Sequence, residues 1–161
     1  MSIKLPNKNN YLVGVISDTH GFLHSSAIKL FTDTDMIIHA GDIDQPELLS
    51  SLQSIAPVVA VRGNMDKGTW TSDLAETEVV KIGEVLVCVL HNLYVLDIDP
   101  AAAGFNVVIS GHTHKPSVVD QKGVLFLNPG SATLPKSACM GSAGLLHIHR
   151  DFLNAEIVEL S

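Results

Sequence analysis

Residues 12–21 read Leu-Val-Gly-Val-Ile-Ser-Asp-Thr-His-Gly. An apolar run, Leu12 to Ser17, stops abruptly at two groups able to bind a cation, Asp18 and His20. A short continuous run of this kind, without polar alternation, suits a strand buried on both faces. The same grammar recurs down the chain. Met36–Ala40 is followed by Gly41-Asp42, and Val58–Arg62 by Gly63-Asn64. Val85–Leu90 ends at His91, and Val107–Ser110 at Gly111-His112-Thr113-His114. A sixth run, Val124–Leu127, leads into Asn128-Pro129-Gly130-Ser131. Ligands of open α/β sheets gather outside the carboxyl ends of strands, where these side chains would converge. Glycine immediately before Asp42, Asn64 and His112 lets the chain turn sharply and approach a compact site.

Between the runs lie helical stretches. Ser25-Ser26 is expected to cap a helix over Ala27–Phe31, and Pro46 to open a second that runs through Ile55 with Leu48, Leu49, Leu52 and Ile55 on one side. Asp99-Pro100, three alanines and Gly104 predict a short third helix. Three hairpins are expected: Glu78–Ile82 with Val85–Leu90 about Gly83-Glu84, Val118-Val119 with Val124–Leu127, and Gly144–His149 with Ala155–Leu160. Helices alternating with strands first and hairpins later indicate α/β layers with mixed sheets.

Composition bounds the answer. The chain has 161 residues, enough for one domain spanning 1–161, and 46% of them are hydrophobic, which excludes intrinsic disorder. The longest strict apolar run, Val85–Leu90, is far short of the ~18 residues of a membrane span. The polar start, Met1–Asn10, is not a signal peptide, and two distant cysteines, Cys88 and Cys139, form no disulfide framework. A cytoplasmic setting is therefore expected. A net charge of −7 argues against gripping extended nucleic acid, but a cluster of cations can reverse the field within one cleft. Oxygen and imidazole donors without thiolates favour Mn²⁺, Fe²⁺ or Zn²⁺, and two carboxylates, one amide and four imidazoles suit two ions better than one.

With these blocks in order, the chain resembles the calcineurin-like metallophosphoesterases, most closely their small bacterial and archaeal phosphodiesterase branch. The blocks are Ser17-Asp18-Thr19-His20-Gly21, Gly41-Asp42, Gly63-Asn64-Met65-Asp66, His91, Gly111-His112-Thr113-His114 and Asn128-Pro129-Gly130-Ser131. The resemblance implies a single-domain α/β sandwich of two mixed β-sheets flanked by helices. It implies that Asp18, His20, Asp42 and His114 hold one divalent ion. Asp42 would bridge to a second, completed by Asn64, His91 and His112, with Asp42, Asn64 and His112 also carrying catalytic roles. The cofactor so implied is a pair of ions, Mn²⁺ first, with Zn²⁺, Fe²⁺ or Ni²⁺ as substitutes. The reaction is attack of a bridging hydroxide on a small phosphodiester; a homo-oligomer is compatible with this, and a membrane partner is not. The alternatives are a phosphomonoesterase, or a non-catalytic interaction scaffold like the retromer-type subunits of the same fold.

Two departures stand out. Met65 occupies the place where many relatives have a histidine that helps the leaving oxygen depart, and His24 is the nearest candidate to replace it. Asn92 stands where the branch usually has glycine, and is expected to survive there by tolerating a left-handed backbone. Other polar residues have plainer expected roles: His39 as a hydrogen-bonded core group, Asp66 as a turn former, Asn128–Ser131 as a turn under the site, and His147 with His149 as a solvated edge. Arg62 is left between substrate phosphate and a surface carboxylate, and Trp70 between lining the cleft and anchoring its loop.

Overall fold

The computed structural model describes residues 3–133 and 141–161. Cys139 lies outside the described residues. The first sheet is built around β1 (Asn10–Ile16), with β2 (Met36–His39) parallel on one side and β9 (Ser142–His149) antiparallel on the other. Pairing sets Val13 against Met36 and Val15 against Ile38. β3 (Val58–Ala60) and β10 (Phe152–Glu159) form its edges, giving the order β10-β9-β1-β2-β3. The second sheet has β4 (Thr77–Ile82), β5 (Val85–Leu90), β6 (Val107–Ile109), β7 (Ser117–Gln121) and β8 (Val124–Asn128) in the order β4-β5-β6-β8-β7. Both sheets mix parallel and antiparallel neighbours, as the switch from helical crossovers to hairpins requires.

Alternation divides the apolar residues among three layers. Val13, Val15, Met36 and Ile38 of the first sheet meet Val87, Val89 and Ile109 of the second, forming the core between the sheets. The opposite side of the first sheet, with Ile16 and Ile37, packs under Phe31, Leu48 and Leu52 beside α1 (Ser25–Leu30) and α2 (Pro46–Gln53). The outer side of the second sheet carries a smaller cluster of Cys88, Leu90, Val108 and Val124. Among the described residues, Leu96 and Phe105 from the loops pack against this layer.

Three local expectations change. The N-cap of α1 is His24, whose Nδ1 accepts from the Ser26 amide at 3.1 Å, so Ser25 is already helical. α2 ends at Gln53 because the chain tightens, with the Ile55 amide reaching back three residues to the Leu52 carbonyl, ahead of Pro57. Residues 99–104 form turns and no helix. Asp99 Oδ1 accepts from the Ala101 amide at 3.1 Å, but the alanines are exposed and bury no face that could extend the turn. No helix among the described residues is long and apolar enough to cross a membrane.

This architecture positions the site. β1, β2 and β3 run parallel in one sheet, and β5, β6 and β8 in the other. Their carboxyl ends lead into Asp18, Asp42, Asn64, His91, His112 and Asn128, one block per strand.

Candidate metal centre

The backbone bends sharply where these strands end. Asp18, His20, Asp42, His112 and His114 have φ of 55°, 49°, 58°, 71° and 64°, so five of the seven residues sit in the left-handed region. Such conformations cost of order 1–3 kcal/mol each and persist only where surrounding structure enforces them. Hydrogen bonds between loops do so: the Asp18 amide donates to the Gly41 carbonyl at 2.9 Å, and the His20 amide to the Asp42 carbonyl at 3.0 Å. Gly41 has φ 101°, and a Cβ there would lie 2.7 Å from His91 Nδ1. Gly63 and Gly111 are needed for close approach, because a Cβ would overlap Asp42 at the first and Ser17 Oγ at the second.

Asp66 clamps the loops together. Its Oδ1 accepts the amides of Ile43 and Asp44, each at 2.8 Å, and its Oδ2 those of Asp42 at 3.0 Å and Gly63 at 2.8 Å. The expected turn former is thus a buried acceptor whose four bonds join the loop after β2 to the loop after β3.

The side chains converge in two overlapping groups. Asp18, His20 and His114 form one, and Asp18, Asp42 and His91 another, with potential donor atoms within 4.8 Å of each other in each. Asp18 is fully buried; its Oδ2 accepts from Ser17 Oγ at 2.7 Å and the His112 amide at 3.1 Å. Its Oδ1 has no hydrogen-bond partner among the described residues and lies 3.2 Å from His114 Nε2 and 3.9 Å from His91 Nε2. His91 Nδ1–H donates to the Ala40 carbonyl at 2.6 Å, which directs Nε2 inward. There Nε2 stands 3.0 Å from Asn64 Oδ1, 3.3 Å from His112 Nδ1 and 3.3 Å from Asp42 Oδ2. His112 Nδ1 is also 3.1 Å from Asn64 Oδ1. Asp42 Oδ1 takes the Met65 amide at 2.8 Å, leaving Oδ2 facing His91.

So many acceptors in one buried place repel one another unless a positive charge enters. Without a metal, the surroundings favour a proton on His91. Burial opposes it, but the Asp42 carboxylate, the Ala40 carbonyl and Asp18 outweigh burial and hold the pKa above the usual histidine value. Asp42 answers in the other direction: burial would raise its pKa, yet His91 and the Met65 amide bring it below the usual carboxylate value.

A divalent cation meets the same need. Ligand bonds of about 2.0–2.2 Å place neighbouring donors on one ion roughly 3 Å apart, near the separations found here. The buried unpartnered atoms Asp18 Oδ1 and His20 Nε2 are the donors such an ion would satisfy. The donor chemistry and orphaned atoms therefore fit a metal centre.

The calcineurin-like phosphoesterase superfamily domain matches residues 11–151. The chain belongs to that superfamily. It is 40% identical to a probable metallophosphoesterase of Methanocaldococcus jannaschii over 140 residues, covering 78% of this chain and 70% of the relative. A phosphodiesterase of the same archaeon is 29% identical over 136 residues, covering 73% of this chain and 82% of that protein. The structure of vacuolar protein sorting 29 from Cryptosporidium parvum superposes with a TM-score of 0.75 at 25% identity, over 96% of this chain and 100% of that one.

Within this superfamily fold, the remaining polar residues divide clearly. His39 is fully buried, its Nδ1 accepting from the Gly41 amide at 3.1 Å and its Nε2 2.9 Å from Thr19 Oγ1. Burial, with the charge of His91, lowers its pKa to about 3 despite Asp42, so it is a neutral core group. His24 is occupied in capping α1, and Met65 is half exposed. Asn92 adopts φ −112°, not the left-handed form, because its Oδ1 accepts the Tyr94 amide and opens a short 3₁₀ turn over Leu93–Val95. Asn128 Nδ2 donates to the Gly111 carbonyl and Thr113 Oγ1, each at 3.1 Å, and Ser131 Oγ donates to the Asp18 carbonyl at 3.1 Å, so that turn braces the site from below. Arg62 pairs with exposed Glu76 at 3.0 Å. His147 and His149 are exposed as expected, but His147 has an acidic neighbour, Glu156, at 4.0 Å across the hairpin. Trp70 lines a groove of about 1170 Å³ between β3 and β4 that includes none of the seven site residues.

The motifs gave no role to Ser17 or Asp44 and only that of a turn former to Asp66. Asp44 Oδ2 lies 3.3 Å from His20 Nδ1. Their common signal is a polar residue within three positions of a ligand that reading for ligands alone passes over.

Proposed function

We propose that this chain is a phosphodiesterase of small substrates that uses two divalent ions, Mn²⁺ first among them, held by the seven strand-end residues. Asp18, His20, Asp42 and His114 would hold one ion, and Asn64, His91 and His112 the other, with Asp42 shared. The observation that carries this reading is the buried, unpartnered Asp18 Oδ1 placed between His114 Nε2 at 3.2 Å and His91 Nε2 at 3.9 Å. Bound there, the ions would supply Lewis acidity and a water acidic enough to attack phosphorus.

The residues set the conditions for that chemistry. Only Asp18 and Asp42 bring negative charge; Asn64 and four imidazoles are neutral donors, so the filled site keeps a net positive charge. In a chain of net charge −7, such a site would still draw an anionic phosphate ester. Ser17 Oγ–H and the His112 amide fix Asp18, and the Met65 amide fixes Asp42, so neither carboxylate is free to swing toward water. Met65 can give no proton to a leaving oxygen, which favours esters whose leaving groups depart as stable anions. The M. jannaschii phosphodiesterase supports the diester reading. The proposal includes one domain over 1–161 and a reducing, cytoplasmic setting. The second reading, a non-catalytic scaffold, draws on the likeness to vacuolar protein sorting 29 and on exposed Tyr94 and Val95 just beyond His91.

The test uses purified protein stripped of metal and assayed on bis(nitrophenyl) phosphate and the nitrophenyl monoester. Mn²⁺ is expected to restore diester hydrolysis, and Asp42→Ala to abolish it. Faster turnover of the monoester would move the assignment to a phosphomonoesterase. No hydrolysis with any of Mn²⁺, Zn²⁺, Fe²⁺ or Ni²⁺ would favour the scaffold.

A further inference from the structure

We infer that Asp44 is a positioning residue for the metal centre, acting through His20; this rests on the metal reading above. Asp44 Oδ2 stands 3.3 Å from His20 Nδ1. A carboxylate only accepts, so Nδ1 carries the proton, and the neutral ring then has its lone pair on Nε2. That Nε2 is the buried, unpartnered atom facing the Asp18–His114 group. Asp44 thus selects the one neutral tautomer of His20 able to offer Nε2 to an ion. It does for His20 what the Ala40 carbonyl does for His91.

The arrangement is built. Asp44 takes a left-handed backbone with φ 73°, and its amide is held by Asp66 at 2.8 Å. Its other oxygen, Oδ1, is buried with no hydrogen-bond partner, so His20 is the carboxylate's only such partner among the described residues. A carboxylate accepting from Nδ1–H holds the ring with Nε2 turned toward the site where a cation would sit. A carboxylate needed only to shape its loop would be expected to spend its oxygens on backbone amides, as Asp66 does.

The test combines two readouts on wild type, Asp44→Ala and Asp44→Asn. Nitrogen-15 NMR of the histidine rings in metal-free protein reads the tautomer, and Mn²⁺ titration followed by electron paramagnetic resonance reads each site. In wild type, His20 is expected in the Nδ1–H form; in Asp44→Ala it moves toward Nε2–H, and one Mn²⁺ site weakens 10–100-fold while the other stays within twofold. Asp44→Asn keeps an oxygen acceptor but no charge, so it retains the tautomer with a smaller loss, and it decides the matter if the alanine variant fails to fold. His20 found as Nε2–H in wild type, or unmoved in Asp44→Ala, overturns the inference. Equal weakening of both sites overturns it too, assigning Asp44 a merely structural role. Wild type that takes up no Mn²⁺ sinks the metal reading, while the ring spectrum still decides the Asp44–His20 pair.

Discussion

Replacing Asp66 by asparagine removes one negative charge and almost no volume, yet it should be among the most damaging conservative changes in the chain. The carboxylate accepts four backbone amides, two on each oxygen. An asparagine keeps one oxygen and points an NH₂ group at the other two amides, so two hydrogen bonds become donor-to-donor contacts. Bonds to a charged acceptor contribute roughly 1.5–3 kcal/mol each. Losing two costs about 3–6 kcal/mol, and the buried position of Asp66 keeps water from replacing them. With a urea m-value of about 2 kcal/mol/M, the midpoint should fall by ~2 M. Because three of the four amides belong to Asp42, Ile43 and Asp44, Mn²⁺ affinity should fall with stability. Urea denaturation of the metal-free Asp66→Asn variant, followed by circular dichroism, measures the first effect. A shift below about 0.5 M, near 1 kcal/mol, would show that the loops hold themselves and that the clamp is incidental.

Acid should destabilise the metal-free protein through His39. Its folded pKa of about 3 lies below the unfolded value of 6.5, so its contribution is complete above 6.5 and lost as pH falls toward 3. At pH 5 the loss is about 2 kcal/mol, from 1.36 kcal/mol per unit over the 1.5 units crossed. His91, with its pKa raised, contributes in the opposite window: fully present below 6.5 and lost as pH rises through its folded value. Urea midpoints at pH 7.5 and 5.0 for wild type and His39→Gln separate the two, and equal pH dependence in both proteins refutes the assignment. Leaving groups supply the other expectation: with Met65 in place of a proton donor, nitrophenyl diesters should turn over ~10²–10⁴-fold faster than alkyl diesters in steady-state kinetics. Equal rates would mean that another group supplies the proton.

Much of the fold was legible because the runs that became β1, β2, β3, β5, β6 and β8 are continuous and bounded by turns, and because glycine turns mark two of the hairpins. The order of strands within the sheets was not, since β9 joins β1 from more than a hundred residues away and nothing local encodes that pairing. The helix expected at 99–104 failed because alanine favours helix but offers nothing to bury. At the site, the seven strand-end residues announced themselves by type and place. The sharing of Asp18 by both groups, and the supporting bonds of Asp44, Asp66 and Ser17, depend on loops crossing between strands, which a linear reading does not contain.

The left-handed corners at Asp18, His20, Asp42, His112 and His114 also limit how sturdy this protein can become. Each would be more comfortable as glycine, so a screen for thermal resilience alone would reward discarding the very groups that face the cleft. Any hardened variant of this chain should therefore gain its margin elsewhere, in the hairpins and the outer layer over the second sheet, and leave these five bends strained.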